Sequence, residues 1–336
     1  MKISSNLKMN NFRTEVNPVR SEFFISHETL VMFIGSCFTE NVGNRMQSLK
    51  FCIDINPFGV LFNPVSISQS IERLIKANKY NENDIFWFND SWHSFMHHSR
   101  FSSEEKEKCL SEINRRLEKG HENLRNAKFL ILTFGTAWVF VNKENKKIVS
   151  NCHKLSAINF ERQLLDSSTI VKDFENIFNS LKDFNPNLKI ILTVSPVRHL
   201  SDTAEGNQLS KSILIVAVQK LCKNGLAFYF PAYELMLDDL RDYRFYDTDM
   251  VHPSQQAIDY IFEKFGNSYF NTETKNINSE VASILTAVNH RLANIHSNES
   301  RTFITRNLEK VAILENKYPF LDFALEKEHF RKLKQI

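Results

Sequence analysis

The chain has 336 residues, 42% of them hydrophobic, enough to bury a sizeable core in one large domain or two ordinary ones. Its 42 Lys and Arg against 39 Asp and Glu leave a net charge of +3, too small for bulk electrostatics to argue for a nucleic-acid or acidic-membrane partner. No run approaches the roughly 18 apolar residues of a membrane span, and the opening MKISSNLKMNNFRTEV lacks the apolar core of a secretory signal, so a cytoplasmic location is expected. Cysteines at 37, 52, 109, 152 and 222 form no CxxC pair; reduced, mostly buried thiols are expected, with no disulfide framework, no metal and no other cofactor implied.

In chain order, residues 30–34 are a short apolar run that reads as a buried strand, ending at Gly35-Ser36-Cys37 before the helical pattern ENVGNRMQSL. FCIDINPFGVLFNP then carries a turn with Gly59, and a helix fits residues 66–77. In SWHSFMHHSRF, His93 and His97 have the spacing of a metal pair if the segment is helical, but no HExxH or adjacent acidic ligand accompanies them, which favours a hydrogen-bonded loop. Ser102 and Glu105 form the pattern of a capping box before a helix whose face carries Leu110, Ile113, Leu117 and Leu124.

Residues 129–134 predict a second buried strand, and residues 138–141 against 148–150 a hairpin. Val171, Phe174, Phe178 and Leu181 mark the next helix; strands at 188–194 and 226–230 and helices at 208–222 and 254–265 continue the alternation. Strands alternating with helices predict an α/β fold, a mostly parallel sheet covered on both faces. After about residue 271 only helical patterns remain, a stripe of Val281, Leu285, Val288, Leu292 and Ile295 and a last helix near 321–333. The expected organisation is a main domain over 1–270 with a helical extension, 271–336, packed on it.

Ligands of open α/β sheets bind beyond the carboxyl ends of the strands. The residues there are Gly35-Ser36-Cys37, Gly59, Gly135-Thr136-Ala137, and Arg198-His199. Late in the chain, YDTDMVHPS places Asp249 three residues before His252, ahead of a helix. A serine hydroxyl becomes a nucleophile when an imidazole accepts its proton and a carboxylate orients that imidazole, and Ser36, His252 and Asp249 supply the three groups. Ser36 at a helix start would also aim its own N–H at a developing oxyanion. Each motif has an ordinary reading as well: Ser36 as a helix cap, and His252-Pro253 as helix-start chemistry.

GSCFTENVGNR, INPFGVLFNP, LTFGTAWVF, NCHKL, TVSPVRHL and YDTDMVHPS, in this order over residues 30–265, resemble the GSCFA-domain family, itself similar to the SGNH or GDSL-type hydrolases. The resemblance implies a three-layer α/β/α sandwich and ester hydrolysis. It implies Ser36 as nucleophile, Gly59 as an oxyanion-hole donor, and Asp249 and His252 as the remaining triad members. Ala137 stands where such enzymes carry an oxyanion-hole asparagine, and losing one such donor costs about 100- to 1000-fold in rate. Asn151, the Thr136 hydroxyl or the Trp138 indole N–H are the candidate substitutes, Asn151 first.

Arg198 and His199, with Thr136 and His153, are candidates for binding the substrate; Arg198 would hold a carboxylate or phosphate on it, or else simply pair with Asp249 or a nearby Asp. Cys37, the residue after the presumed elbow serine, is expected to pack inside as a small apolar group. The sequence thus reads as a serine esterase acting on a small-molecule or carbohydrate ester. An acyltransferase on the same fold and a non-catalytic binding module with a degraded oxyanion hole are the alternatives.

Overall fold

In the computed structural model, residues 13–335 are described; the reading of the first dozen residues as lacking a signal core lies outside them. β1 (Val31–Gly35) leads into α1 (Cys37–Ser48), β2 (Ile53–Ile55) and α2 (Pro64–Lys76). A ribbon of β3 (Phe86–Phe88) and β4 (Ser91–His93) precedes α3 (Lys106–Asn126) and β5 (Phe129–Phe134). The hairpin of β6 (Trp138–Asn142) and β7 (Ile148–Val149) is extended by β8 (Phe160–Leu164). Then come α4 (Ser167–Phe184), β9 (Lys189–Val194), α5 (Thr203–Lys223) and β10 (Phe228–Tyr229). A single turn, α6 (Ala232–Glu234), and the helices α7 (Gln255–Tyr269), α8 (Thr272–Val288), α9 (Asn298–Lys317) and α10 (Ala324–Gln335) complete the chain.

Five strands form one parallel sheet in the order β10-β9-β5-β1-β2, as the α/β expectation requires. Because both faces are covered, its strands are continuously apolar, yet alternate residues serve different cores. Val31, Phe33, Phe129 and Ile131 face α1, α7 and the C-terminal helices, where Phe38, Phe265, Val281, Ile304 and Phe330 pack. Met32, Ile34, Leu130 and Leu132 face the other layer, meeting Ile71, Leu117, Phe174 and Leu214 of α2, α3, α4 and α5. The result is a three-layer α/β/α sandwich. Among the described residues no helix is long and apolar enough to cross a membrane.

Several local expectations change. β2 is a fifth strand too short to show periodicity, and β8 adds a third strand to the hairpin. The Ser102–Glu105 capping box does not form: α3 begins at Lys106 after Glu105, which caps nothing. Ser103 instead pairs its backbone with Trp92, and the Ser102 hydroxyl bonds His93 Nδ1 at 2.6 Å, so this stretch is held extended. The stripe through Ile295 breaks at Val288; Leu292 and Ile295 lie in a connection, and α9 follows where no helix was expected. All five cysteines are free, but Cys109 alone is buried and Cys52 is exposed.

The C-terminal helices share the core of the main sheet. Phe323 and Phe330 are fully buried in the cluster that holds Val31 and Phe33. Glu326 of α10 also accepts two hydrogen bonds from Lys50, at 2.8 and 2.9 Å. Phe330→Ala should therefore destabilise the whole fold by about 3–5 kcal/mol. Urea unfolding followed by far-UV circular dichroism checks this: a single transition moved to lower urea is expected, whereas an unchanged midpoint would mean that α10 folds apart from the sheet.

Candidate active site

The chain leaving β1 passes close to β5. A Cβ on Gly35 would lie 2.4 Å from the Thr133 carbonyl oxygen, at a φ of +152° that favours glycine. The Gly35 N–H is held by the side chain of Asn56, at 2.9 Å, and Gly35 O accepts Leu61 N–H, so the loop after β2 clasps the turn. Ser36 then caps α1 with extended backbone, but its hydroxyl makes no cap bond. Its N–H points to Thr133 O at 3.4 Å, and the side chain, 0% exposed, has no hydrogen-bond partner.

A cavity of about 550 Å³ opens at the carboxyl edge of the sheet. Cys37 after β1, Phe62 and Asn63 after β2, Thr136 and Trp138 after β5, and Val197, Arg198 and His199 after β9 line its floor; Asn151 of the hairpin and His252 complete it. Of the residues expected at the site, Thr136, Asn151, Arg198, His199 and His252 meet there. Asp249 stands behind His252.

Ser36, Gly59 and His153 do not line the cavity, and each has a local reason. The Ser36 N–H is turned to β5 and its side chain is buried, while the half-buried Cys37 faces the cavity, the reverse of the expected exposure. Gly59 N–H is spent on Asn56 O at 2.8 Å, so it is no free oxyanion donor; this glycine is required because its φ is +80° and a Cβ would sit 2.2 Å from that of His98. His153 is buried, its Nε2 donating to Ser94 O at 2.8 Å. The Trp138 indole N–H is likewise spent, on Gly206 O, and the Thr136 hydroxyl on Ser210 and Trp138 N–H. Asn151 keeps a place at the rim, its side-chain Oδ1 accepting His153 N–H at 2.9 Å and its Nδ2 donating to Ser99 Oγ at 3.4 Å. His93 lies in β4, so the helical spacing with His97 does not arise. Among the described residues no three His, Cys, Asp or Glu side chains gather as a metal site.

Asp249 and His252 form a tight pair on a turn made possible by Met250 at φ +56°. One carboxylate oxygen accepts the N–H groups of Val251 and His252 at 2.8 and 2.9 Å; the other accepts the imidazole Nδ1–H at 2.6 Å. These bonds, led by the His252 backbone N–H, hold Asp249 down to about 2, so it stays ionised. Arg198 N–H bonds Val251 O at 3.2 Å, tying the β9 exit to this turn. No carboxylate lies within ion-pair distance of the Arg198 guanidinium among the described residues, so the pairing with Asp249 does not form.

Three further residues escaped the sequence reading. Asn63 caps α2 through Ser66 N–H at 2.8 Å, and Nδ2 spends one hydrogen on Ser66 Oγ, leaving the other free at the cavity wall. Asn followed by Pro before a helical run was the signal for it. Arg162 grips Asp202 with two bonds, 2.9 and 2.6 Å, and lies over the Phe140 ring on the cavity wall. Lys211 of α5 is 0% exposed, its Nζ donating to Gly135 O at 2.6 Å and Ser195 O at 2.7 Å.

These features define an α/β sandwich with an imidazole–carboxylate pair beside a helix N-terminus at the sheet's carboxyl edge. The chain belongs to the GSCFA family: the model of that family matches residues 30–265, and that of the GSCFA domain protein, C-terminal domain, matches 281–335. Among solved structures, it is similar to a carbohydrate esterase family 3 protein from Talaromyces cellulolyticus (10% identity, 75% of this chain and 99% of that one, TM-score 0.34). Others are the acetyl xylan esterase Est2A from the rumen bacterium Butyrivibrio proteoclasticus (14%, 74% and 66%, 0.35) and a lipopolysaccharide acetyltransferase periplasmic domain from Salmonella ser. Paratyphi A (11%, 72% and 84%, 0.33). No curated protein sequence matches the chain.

Burial keeps several imidazoles neutral: His27, His153 and His199 are each pushed down to about 4 and His97 to about 3, from 6.5. In the unfolded chain they protonate near 6.5, so between about pH 6.5 and 4 the unfolded state binds more protons than the folded one. Stability should therefore fall as pH drops through that window. Urea midpoints measured from pH 7 downward check this, and His97→Gln should flatten the slope.

Proposed function

We propose that the chain is an acyl-ester hydrolase in which His252, oriented by Asp249, serves as general base and then general acid for a nucleophile in the first turn of α1. The observation that carries this reading is the 2.6 Å bond from His252 Nδ1 to Asp249. A carboxylate only accepts, so Nδ1 carries a proton, and the tautomer this selects has its lone pair on Nε2, on the opposite edge. Because His252 lines the cavity that also holds the start of α1, that lone pair is available to take a proton from a nucleophile there.

The first turn of a helix leaves backbone N–H groups without intrahelical acceptors and carries partial positive charge. Cys37 N–H, at the first position of α1, has no backbone acceptor among the described residues and suits an oxyanion forming beside it. The remaining Asn63 amide hydrogen is a second donor on the same wall, in place of the asparagine that Ala137 replaces. The cavity takes a small acyl ester, with apolar contact from Phe62, Trp138 and Phe140 and polar contact from Arg162 and Arg198; an O-acylated carbohydrate is the alcohol class that suits this mixture. His252 and Asp249 are 43% and 49% exposed, so water reaches the base and can resolve the acyl-enzyme.

Acid release from chromogenic short-acyl esters tests the reading. Wild type should turn over, His252→Ala should lose at least about 1000-fold in kcat/KM, and Asp249→Asn about 100- to 10,000-fold. Asn63→Asp, which keeps the helix cap and removes the donor, should lose about 100-fold in kcat. A folded wild-type protein that hydrolyses none of the esters overturns the proposal.

A further inference from the structure

We infer that Cys37, and not Ser36, is the nucleophile, so that the acyl-enzyme is a thioester; the inference rests on the acyl-transfer reading above. Four observations converge on it. Cys37 lines the cavity that His252 lines, and Ser36 does not. The Ser36 hydroxyl is wholly buried and without a partner, and its N–H is turned to β5. Cys37 opens α1, where its own N–H and that of Phe38 face its sulfur.

The fourth observation is Lys211. Its ammonium is fully buried, has no carboxylate partner, and bonds only two carbonyls, Gly135 O and Ser195 O, so one hydrogen has no acceptor among the described residues. It is near enough to Cys37 for the two charges to interact. Burying a cation without a counter-ion is costly, and negative charge developing on Cys37 sulfur as its proton leaves is what would offset that cost. The other groups around the sulfur are Glu40 on α1, which opposes ionisation, and His199, Arg198 and His252 across the cavity.

Burial pushes the Cys37 thiol up, with the first-turn amides and Lys211 pulling it back, so the resting group is a thiol. Burial likewise brings Lys211 down to about 7. The proton therefore leaves during attack. Cys37 Sγ bonds to the ester carbonyl carbon as His252 Nε2 takes the thiol proton, and the carbonyl electron pair becomes the oxyanion. Collapse breaks the carbon–oxygen ester bond, and His252 returns the proton to the departing alkoxide, leaving a thioester. Water, deprotonated by His252, attacks that thioester; collapse breaks the carbon–sulfur bond, releasing the carboxylic acid, and His252 reprotonates the sulfur. The balance is ester plus water to acid plus alcohol.

The test is trapping. Full-length protein is mixed with activated short-acyl esters, quenched in acid, and mapped by peptide mass spectrometry with and without neutral hydroxylamine, which cleaves thioesters readily. The expected result is an acyl group on Cys37 that hydroxylamine removes, with Cys37→Ala losing both adduct and at least about 1000-fold in turnover. If Cys37→Ala does not fold, Cys37→Ser serves instead: a hydroxylamine-resistant adduct on residue 37 supports the inference. An adduct on Ser36, or turnover by Cys37→Ala within about 10-fold of wild type, overturns it while leaving the hydrolase reading intact. If no protein forms an adduct or turns over any ester, the hydrolase reading fails. The pairing with His252 is then decided by iodoacetamide: Cys37 alkylation at least about 10-fold slower in His252→Ala supports it, and an unchanged rate overturns it.

Discussion

The organisation of the site follows from one close approach, that of Gly35 to the Thr133 carbonyl of the neighbouring strand. Parallel register places the two residues side by side, and the backbone between them leaves no room for a Cβ. The strand must end there on a glycine, and the next N–H, that of Ser36, is drawn toward the same carbonyl. Once Ser36 is pinned against the sheet, the helix begins at Cys37 and the direction in which α1 leaves is set. The Asn56 side chain secures this by holding Gly35 N–H, and it also joins the loop after β2 to the turn. A strand end, a buried serine and a cavity-facing cysteine are thus one steric arrangement.

Charge is distributed around that arrangement with a clear division. His252 and Asp249 stand at the solvent edge, where Asp249 stays ionised at little desolvation cost and gains three N–H donors. Toward the interior, Lys211 is buried without a carboxylate partner, and His199 is held neutral by burial with its Nε2 unpartnered. Lys211 bridges the carbonyls at the ends of β5 and β9, the two strands whose exits form the cavity floor. Lys211 thus ties the two strand ends together behind the cavity floor.

Much of the fold was legible because its sheet is buried on both faces. Residues 129–134 coincide with β5, and the other long strands differ only at their ends, since a continuous apolar run has few alternative readings. The short β2 was invisible, because three residues hold too little periodicity, and α9 was missed because its buried positions are widely spaced among charged residues. At the site, the Asp249–His252 spacing was readable as local turn chemistry. Which of two adjacent residues faces the cavity was not: that depends on the contact with β5, a residue pairing nearly a hundred positions away in the chain. Lys211 was hidden for a similar reason, since a lysine in KSILIVAVQK reads as a solvated helix position until the strand ends it bridges are known.

The C-terminal helices clarify how stability and chemistry are separated. α8, α9 and α10 extend the core on the α1 and α7 face, and none of their residues lines the cavity, so they form neither its lid nor its wall. The wall opposite the strand ends is built instead by the ribbon of β6, β7 and β8, through Phe140, Val149 and Arg162. That ribbon is antiparallel and forms a sheet separate from the five parallel strands. Changes in the C-terminal helices act on the whole molecule through the shared core. Changes in the ribbon act instead on the cavity wall that Phe140, Val149 and Arg162 form.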